Sequence, residues 1–145
     1  MSIRRSSGIL LPVAALPSPY GIGTLGKAAY DWIDFLAEAG QSWWQVLPLG
    51  PTSYGDSPYQ SFSTYAGNPY FIDPDLLIEE GLLTKKEVTG FFWGELPRYV
   101  DYKAVYDSRF ELLVNTRLGV QHRHVRRDSA RQCEIDSVRG EIFSR

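Results

Sequence analysis

The chain has 145 residues, of which 43% are hydrophobic and 22% are charged, and its formal net charge is −2. This balance favours one soluble globular domain and gives no electrostatic reason to expect nucleic acid or an anionic membrane as a partner. Cys133 is the only cysteine, which excludes an internal disulfide bond and favours a reducing, cytoplasmic location. No apolar run is long enough to span a bilayer, and the oligomeric state is left open.

The first third of the chain predicts a strand, a helix and a second strand. Residues 9–16 form an apolar run that predicts a buried strand or extended segment. Residues 27–39 carry apolar side chains at helical spacing, and Gly40 is placed to end the helix. Residues 43–47 predict a second buried strand, which Pro48 ends. This alternation indicates an α/β fold.

Further along the chain, capping residues predict three more helices. Asp73-Pro74 is typical of an N-cap followed by the first helical residue, and Gly81 would end that helix. The segment from Thr84 to Glu87 fits a capping box. Asp101 is expected to cap the last helix. One side of that helix is predicted to carry Tyr102, Val105, Tyr106, Arg109, Phe110 and Leu113.

A glycine-rich turn at residues 21–26 matches the pattern G-x-G-x-x-G and precedes the first predicted helix. One interpretation is a dinucleotide-binding domain, in which the pyrophosphate approaches the helix N-terminus. Residues 41–47 hold no acidic side chain that would bind a ribose, which weakens that interpretation. We expect a tight structural turn with positive φ at glycine positions.

The last segment, residues 117–145, has seven arginines, no lysine and four acidic residues. A basic tail that binds nucleic acid is one interpretation, but no Trp or Tyr interleaves the charge, so we favour a solvated terminus. His122, His124 and Cys133 lie here without the spacing of metal ligands, and we predict no metal site.

Residues 48–69 form a long loop, and loops of this length inside a compact domain are usually functional. Its central part, residues 54–61, combines tyrosine rings with Asp, Ser and Gln side chains. Such groups recognise the faces and hydroxyls of sugars. Composition alone leaves open the alternative that the tyrosines simply pack into the core.

Six segments of the chain form patterns that can be compared with known families. They are Ser7–Pro12, Leu16–Gly23, Trp44–Thr52, Tyr54–Ser61, Ala66–Tyr70 and Val100–Tyr102. Together these segments resemble the 4-alpha-glucanotransferases, also called amylomaltases or disproportionating enzymes. The resemblance covers roughly residues 5–113, and the loop at 54–61 is its most specific part.

This resemblance implies an α/β fold that is the N-terminal part of a (β/α)₈ TIM barrel of the alpha-amylase superfamily, incomplete in this chain. It implies that a segment of an α-1,4-glucan is transferred to the 4-hydroxyl of an acceptor glucose or glucan by a retaining double displacement. The expected partner is an α-1,4-glucan or maltooligosaccharide, with no metal, no organic cofactor, no nucleic acid and no membrane.

The resemblance also implies roles for five residues. Tyr59 is expected to stack on the sugar next to the scissile bond, and Asp56 and Ser57 are expected to bind glucan around it. Tyr54 and Tyr106 match positions that hold glucan at a secondary surface site in some members. The family's catalytic carboxylates come later than position 145, so we assign no catalytic residue and expect this chain alone to be inactive.

We expect two regions, residues 1–116 from the glucanotransferase barrel and a divergent Arg-rich tail at 117–145. The tail composition resembles codons read out of register, so our hypothesis is a frameshift that also truncated the chain, or a disordered tail. An incomplete barrel would leave open strand edges and a poorly stable domain. A noncatalytic carbohydrate-binding module and the dinucleotide-binding domain are kept as alternatives.

Overall fold

The protein is described by a computed structural model that defines residues 5–53, 55–96 and 98–116. Within these ranges the architecture is α/β, as predicted, with a two-stranded parallel sheet followed by three helices. The elements are β1 (Gly8–Leu10), α1 (Lys27–Glu38), β2 (Trp43–Gln45), α2 (Pro74–Glu79), α3 (Lys85–Thr89) and α4, which is helical over residues 102–116. The predicted tail at 117–145 lies outside the described residues.

The sheet and its crossover helix come from the first third of the chain. β1 and β2 pair in parallel, with Gly8 opposite Trp43 and Leu10 opposite Gln45. Parallel neighbours need a crossover connection, which α1 provides. The predicted helix at 27–39 is confirmed, and Gly40 adopts a φ of 69° at its end, a conformation that suits glycine.

Both strands are shorter than the apolar runs that predicted them. Proline has no backbone N–H, and Pro12 starts a 3-10 turn over Val13–Ala15 instead of continuing β1. The N–H of Leu16 donates to the Val13 carbonyl at 3.0 Å. Val13 and Leu16 are buried, so the second half of the apolar run contributes to the core as a turn.

The predicted helix caps are all present. The Asp73 carboxylate accepts the backbone N–H groups of Asp75 and Leu76 at the start of α2. Thr84 and Glu87 form the reciprocal capping box of α3. Asp101 accepts the N–H of Ala104 at 3.0 Å in the first turn of α4. These interactions satisfy backbone donors that a helix leaves unpaired at its N-terminus.

Long-range packing sets the buried face of α4. Val105, Arg109 and Leu112 have no exposed surface, whereas Tyr106 and Phe110 are exposed. The predicted side of the helix therefore agrees only in part, because it included the exposed Tyr106 and Phe110 and omitted the buried Leu112. Three small core clusters form around the described elements. Their buried members are Tyr20, Leu83, Val88 and Leu112; Val13, Leu16 and Ala29; and Ile22, Tyr70 and Val105.

The glycine-rich turn is packed against other protein atoms. Gly21 has a φ of 73°, as expected for a tight turn. A Cβ on Gly23 would overlap the backbone of the Val13–Ala15 turn, and one on Gly26 would overlap the Asp73 side chain. On the side where a Cβ would stand, Gly23 and Gly26 therefore face protein atoms, which explains these glycines by close packing within the fold.

Apolar side chains on the sheet remain uncovered by the described part of the chain. Leu10 on β1 and Trp43 on β2 are exposed. Among the described helices, none has both the length and the apolar character needed to cross a bilayer.

Substituting Gly23 by alanine tests the close approach in the turn. We expect Gly23→Ala to lower the free energy of unfolding by about 2 kcal/mol or more, because the new methyl group meets rigid backbone atoms. Gly67→Ala is the control, since a Cβ there meets no atom within 4 Å, and its effect should stay within about 0.5 kcal/mol. Urea denaturation measures both. Equal stability of the two variants would contradict the packing described for Gly23.

Candidate functional site

A cavity of about 620 Å³ opens where the two parallel strands end. Its wall is built by residues 12–18 after β1, residues 47–49 after β2, residues 21–23 of the glycine-rich turn, the loop that carries Asp56, the turn that carries Tyr70, and residues 98–100 with Tyr102 at the start of α4. Parallel sheets place ligands beyond the carboxyl ends of their strands. The position and size of the cavity are therefore those of a small-molecule site.

The cavity wall is mainly apolar and carries a few convergent polar side chains, as is typical of small-molecule sites. Its polar side chains are Ser18, Thr52, Asp56, Asn68, Tyr70, Arg98, Tyr99 and Tyr102. Asp56 is the only carboxylate among the described residues that line the cavity. The site thus offers several hydrogen-bonding groups, one negative charge from Asp56 and one positive charge from Arg98.

The loop that carries Asp56 folds back on itself. Thr52 and Ser61 form an antiparallel bridge, and the N–H of Ser53 donates to the Gln60 carbonyl at 3.2 Å. Asp56 has a φ of 54°, in the left-handed region that aspartate tolerates better than most residues. Its N–H donates to the Ser53 carbonyl at 3.1 Å. This turn places Asp56 on the cavity wall.

Asp56 lines the cavity together with Tyr70 and Tyr102, and its charge acts on both phenols. Burial raises the pKa of Tyr70 to about 12, and the charge of Asp56 contributes next, followed by Tyr106 and Tyr102. Burial also raises the pKa of Tyr102, again with a contribution from Asp56. Both phenols therefore stay protonated at neutral pH and can donate hydrogen bonds to a ligand.

An aromatic cluster continues from the cavity onto the surface of α4. The rings of Tyr70 and Tyr102 lie 6.4 Å apart, and Phe110 meets Tyr70 edge-on at 6.0 Å. Tyr106 packs against Phe110 with 4.8 Å between ring centroids and is 55% exposed. The cluster offers an accessible aromatic surface beside the cavity.

The structure brings together some of the predicted site residues and separates others. Asp56 lines the cavity, and Tyr106 lies in the adjoining aromatic cluster. Ser57 is half-buried, and its hydroxyl oxygen accepts the N–H of Tyr59 at 3.4 Å. Tyr59 is 73% exposed and is absent from the described wall of the cavity. Tyr54 lies outside the described residues.

Tyr70 and Tyr102 also line the cavity, and no binding role was predicted for either of them from the sequence. Tyr70 is placed by Asn68, whose side-chain oxygen accepts the N–H of Tyr70 at 3.0 Å at the start of a 3-10 turn over Pro69–Phe71. The Asn-Pro pair is a turn signal and could have indicated that fixed position. Tyr102 reaches the cavity because it opens α4 directly after the Asp101 cap.

A metal site is not formed by the described residues. In those ranges no group of three or more His, Cys, Asp or Glu side chains is arranged to hold an ion. His122, His124 and Cys133 lie outside the described residues, so the prediction that they bind no metal stays a prediction.

Comparisons with known proteins give a consistent result. A family model described as 4-alpha-glucanotransferase matches residues 11–138. The chain is 52% identical over 110 residues to a 4-alpha-glucanotransferase of Streptococcus pneumoniae, covering 76% of this chain and 22% of that protein. It is 51% identical over 113 residues to a 4-alpha-glucanotransferase of Thermus thermophilus, covering 78% and 22%.

A solved structure agrees with these sequence matches. The fold is similar to that of an amylomaltase from Streptococcus agalactiae in complex with acarbose, with a TM-score of 0.77 and 45% sequence identity. That match covers 80% of this chain and 23% of the other. The chain thus spans about a fifth of the length of the relatives that it matches.

The pKa of Tyr70 tests the position of Asp56. We expect Asp56→Asn to lower that pKa from about 12 without reaching the ordinary value of about 10, because burial is the larger cause. The folded chain binds the phenol proton of Tyr70 more tightly than the unfolded chain does. Below pH 10 this difference adds to the free energy of unfolding, and the added part is lost as pH rises toward 12. The variant should lose less, because its Tyr70 pKa is raised less.

NMR of tyrosines labelled with ¹³C at Cζ measures these titrations one ring at a time. Tyr20 is the internal control, because its pKa is raised by burial and by Asp75 without a contribution from Asp56. An unchanged Tyr70 titration in Asp56→Asn would show that the charge of Asp56 does not act on Tyr70.

Proposed function

Because the chain belongs to the 4-alpha-glucanotransferase family, we propose that it forms part of the glucan site of an enzyme that transfers α-1,4-glucan segments to the 4-hydroxyl of an acceptor. The single observation that carries this proposal is the cavity at the strand ends, which Asp56, Tyr70 and Tyr102 line together. A pyranose has apolar faces and a rim of hydroxyls, which match aromatic rings, protonated phenols and one carboxylate.

The five predicted residues receive roles in this proposal. Asp56 accepts sugar hydroxyl protons at the cavity, and Ser57 contacts the same glucan beside it. Tyr59 stacks on the sugar next to the bond that is cut, which its exposure permits. Tyr106, together with Phe110, binds glucan at a secondary surface site, and Tyr54 contributes to that second site.

The sheet fits the beginning of a (β/α)₈ barrel. β1, α1 and β2 form one parallel strand–helix–strand unit, and the cavity lies at the carboxyl ends of its strands, where such barrels bind substrates. In the proposed enzyme, further strands cover the exposed side chains of Leu10 and Trp43. We also propose that the enzyme is cytoplasmic and that its reaction needs no metal or organic cofactor.

A retaining transfer needs two carboxyl groups about 5 to 5.5 Å apart. One attacks the anomeric carbon, and the other protonates the leaving oxygen and then deprotonates the acceptor 4-hydroxyl. Of the nearby acids, Asp73 caps α2 and accepts the Thr24 hydroxyl, while Asp75 accepts the Tyr20 hydroxyl at 2.6 Å. We therefore assign the described residues to glucan binding and none of them to the catalytic pair.

A chimera tests the transferase proposal. The 110 matching residues of the Streptococcus pneumoniae relative are replaced by those of this chain. We expect the chimera to convert maltotriose into glucose and longer maltooligosaccharides. Asp56→Asn in the chimera should lower kcat/KM about tenfold, because a hydrogen bond to a charged group is lost.

The control for this chimera is Asp31→Asn, which removes a carboxylate from the exposed surface of α1. This control should leave kcat/KM unchanged. A folded chimera that binds maltotriose without making products would contradict the transferase proposal and favour a noncatalytic carbohydrate-binding module.

The role of Tyr59 is tested on the chain itself. We expect the 145-residue chain to bind maltoheptaose, and Tyr59→Ala to weaken binding about three- to tenfold through loss of ring stacking. Tyr30→Ala is the matched control, since Tyr30 is 58% exposed on α1. Titration calorimetry measures both variants, and equal affinities for the two would remove Tyr59 from the proposed site.

A further inference from the structure

A fully buried cation contacts residues that adjoin the cavity wall in the chain. Arg109 on α4 is 0% exposed and forms no salt bridge with a carboxylate in the described part of the chain. Its Nη1 donates to the Ile72 carbonyl at 2.9 Å, and its guanidinium carbon lies 5.0 Å from the Trp93 ring centroid. The ring of Tyr20 lies 6.0 Å from the same carbon. One backbone carbonyl and two aromatic rings therefore surround the guanidinium.

Keeping this side chain charged is unfavourable by itself. Burial lowers the pKa of Arg109 to about 10, while the negative charge of Asp73 acts in the opposite direction. Nε and Nη2 have no hydrogen-bond partner among the described residues, and buried polar atoms without partners destabilise a fold. An apolar side chain would avoid this cost, so the arginine needs a geometric explanation.

Three segments of the cavity wall meet at this guanidinium. Ile72 follows the turn that holds Tyr70, and the Phe71 carbonyl of that turn accepts the N–H of Leu25 at 2.9 Å. Trp93 packs edge-on against Tyr20, which precedes the glycine-rich turn. Arg109 also belongs to the helix that carries Tyr102 into the cavity.

We infer that Arg109 is a positioning residue that locks the Tyr70 turn, the glycine-rich turn and α4 into the arrangement that forms the cavity. The guanidinium is not among the groups that line the cavity, so it acts through Tyr70 and Tyr102. The consequence for glucan affinity rests on the proposed function, whereas the positioning of the wall does not.

The chemistry of arginine suits this role. A guanidinium is planar, so its face can lie on an aromatic ring while an N–H at its edge donates to a carbonyl. A lysine ammonium is a compact point charge and cannot make both contacts with the same geometry. Methionine has a similar length and no charge, so Arg109→Met removes both contacts without leaving a large cavity.

Hydrogen exchange measured by NMR tests the positioning directly. The wall is reported by the amides of Gly23, bonded to the Ala14 carbonyl, and Leu25, bonded to the Phe71 carbonyl. Leu11, bonded to the Gln45 carbonyl, reports on the sheet. We expect Arg109→Met to accelerate exchange at Gly23 and Leu25 about tenfold and to leave Leu11 unchanged, because only the wall loses its link.

Two further variants sharpen the comparison. Arg109→Lys keeps the charge and can make one of the two contacts, so it should accelerate wall exchange less than Arg109→Met does. Lys103→Met removes an exposed cation from the same helix and should change none of these rates. Equal acceleration at the wall and at Leu11 in Arg109→Met would indicate a general loss of stability and would overturn the inference.

Maltoheptaose affinity measures the consequence for the site. We expect Arg109→Met to weaken binding about tenfold, with Arg109→Lys between it and the unchanged chain. Unchanged affinity in Arg109→Met would overturn a role in the glucan site. If the unsubstituted chain does not bind maltoheptaose, the proposed function fails, and the exchange rates alone confirm or overturn the positioning of the wall.

Discussion

The carboxylate of Asp73 joins the start of α2 to the glycine-rich turn that precedes α1. One oxygen accepts the N–H groups of Asp75 and Leu76 and so begins α2, and the other accepts the hydroxyl of Thr24. The same side chain lies against Gly26, the N-cap of α1, and a Cβ on Gly26 would overlap it. The glycine-rich turn is thereby tied to the turn that carries Tyr70, and the cavity wall depends on this connection.

Elements with local causes were predictable from the sequence. The capping box from Thr84 to Glu87 and the Asp73-Pro74 start of α2 involve only neighbouring residues, and both are confirmed. The lengths of the strands were not predictable, because an apolar run such as residues 9–16 indicates burial without distinguishing a strand from a buried turn. The buried face of α4 also depends on distant partners such as Trp93, which periodicity does not reveal.

The residues of the site were also predictable only where a local segment of the chain indicated them. Asp56 lies in the loop whose composition and family resemblance indicated sugar binding, and it lines the cavity. Tyr70 and Tyr102 reach the same cavity from distant parts of the chain, so no local pattern placed them beside Asp56. The glucan-binding roles of all five predicted residues come from the resemblance and remain predictions.

The proposed function requires that the described residues bind α-1,4-glucan and do not cut it. A single NMR time course of maltotriose with the 145-residue chain tests it, because saturation transfer reports binding and the anomeric signals report products. We expect saturation transfer to the sugar and unchanged maltotriose. Absence of saturation transfer would contradict glucan binding. The appearance of glucose with longer oligosaccharides would show that these residues hold a catalytic pair.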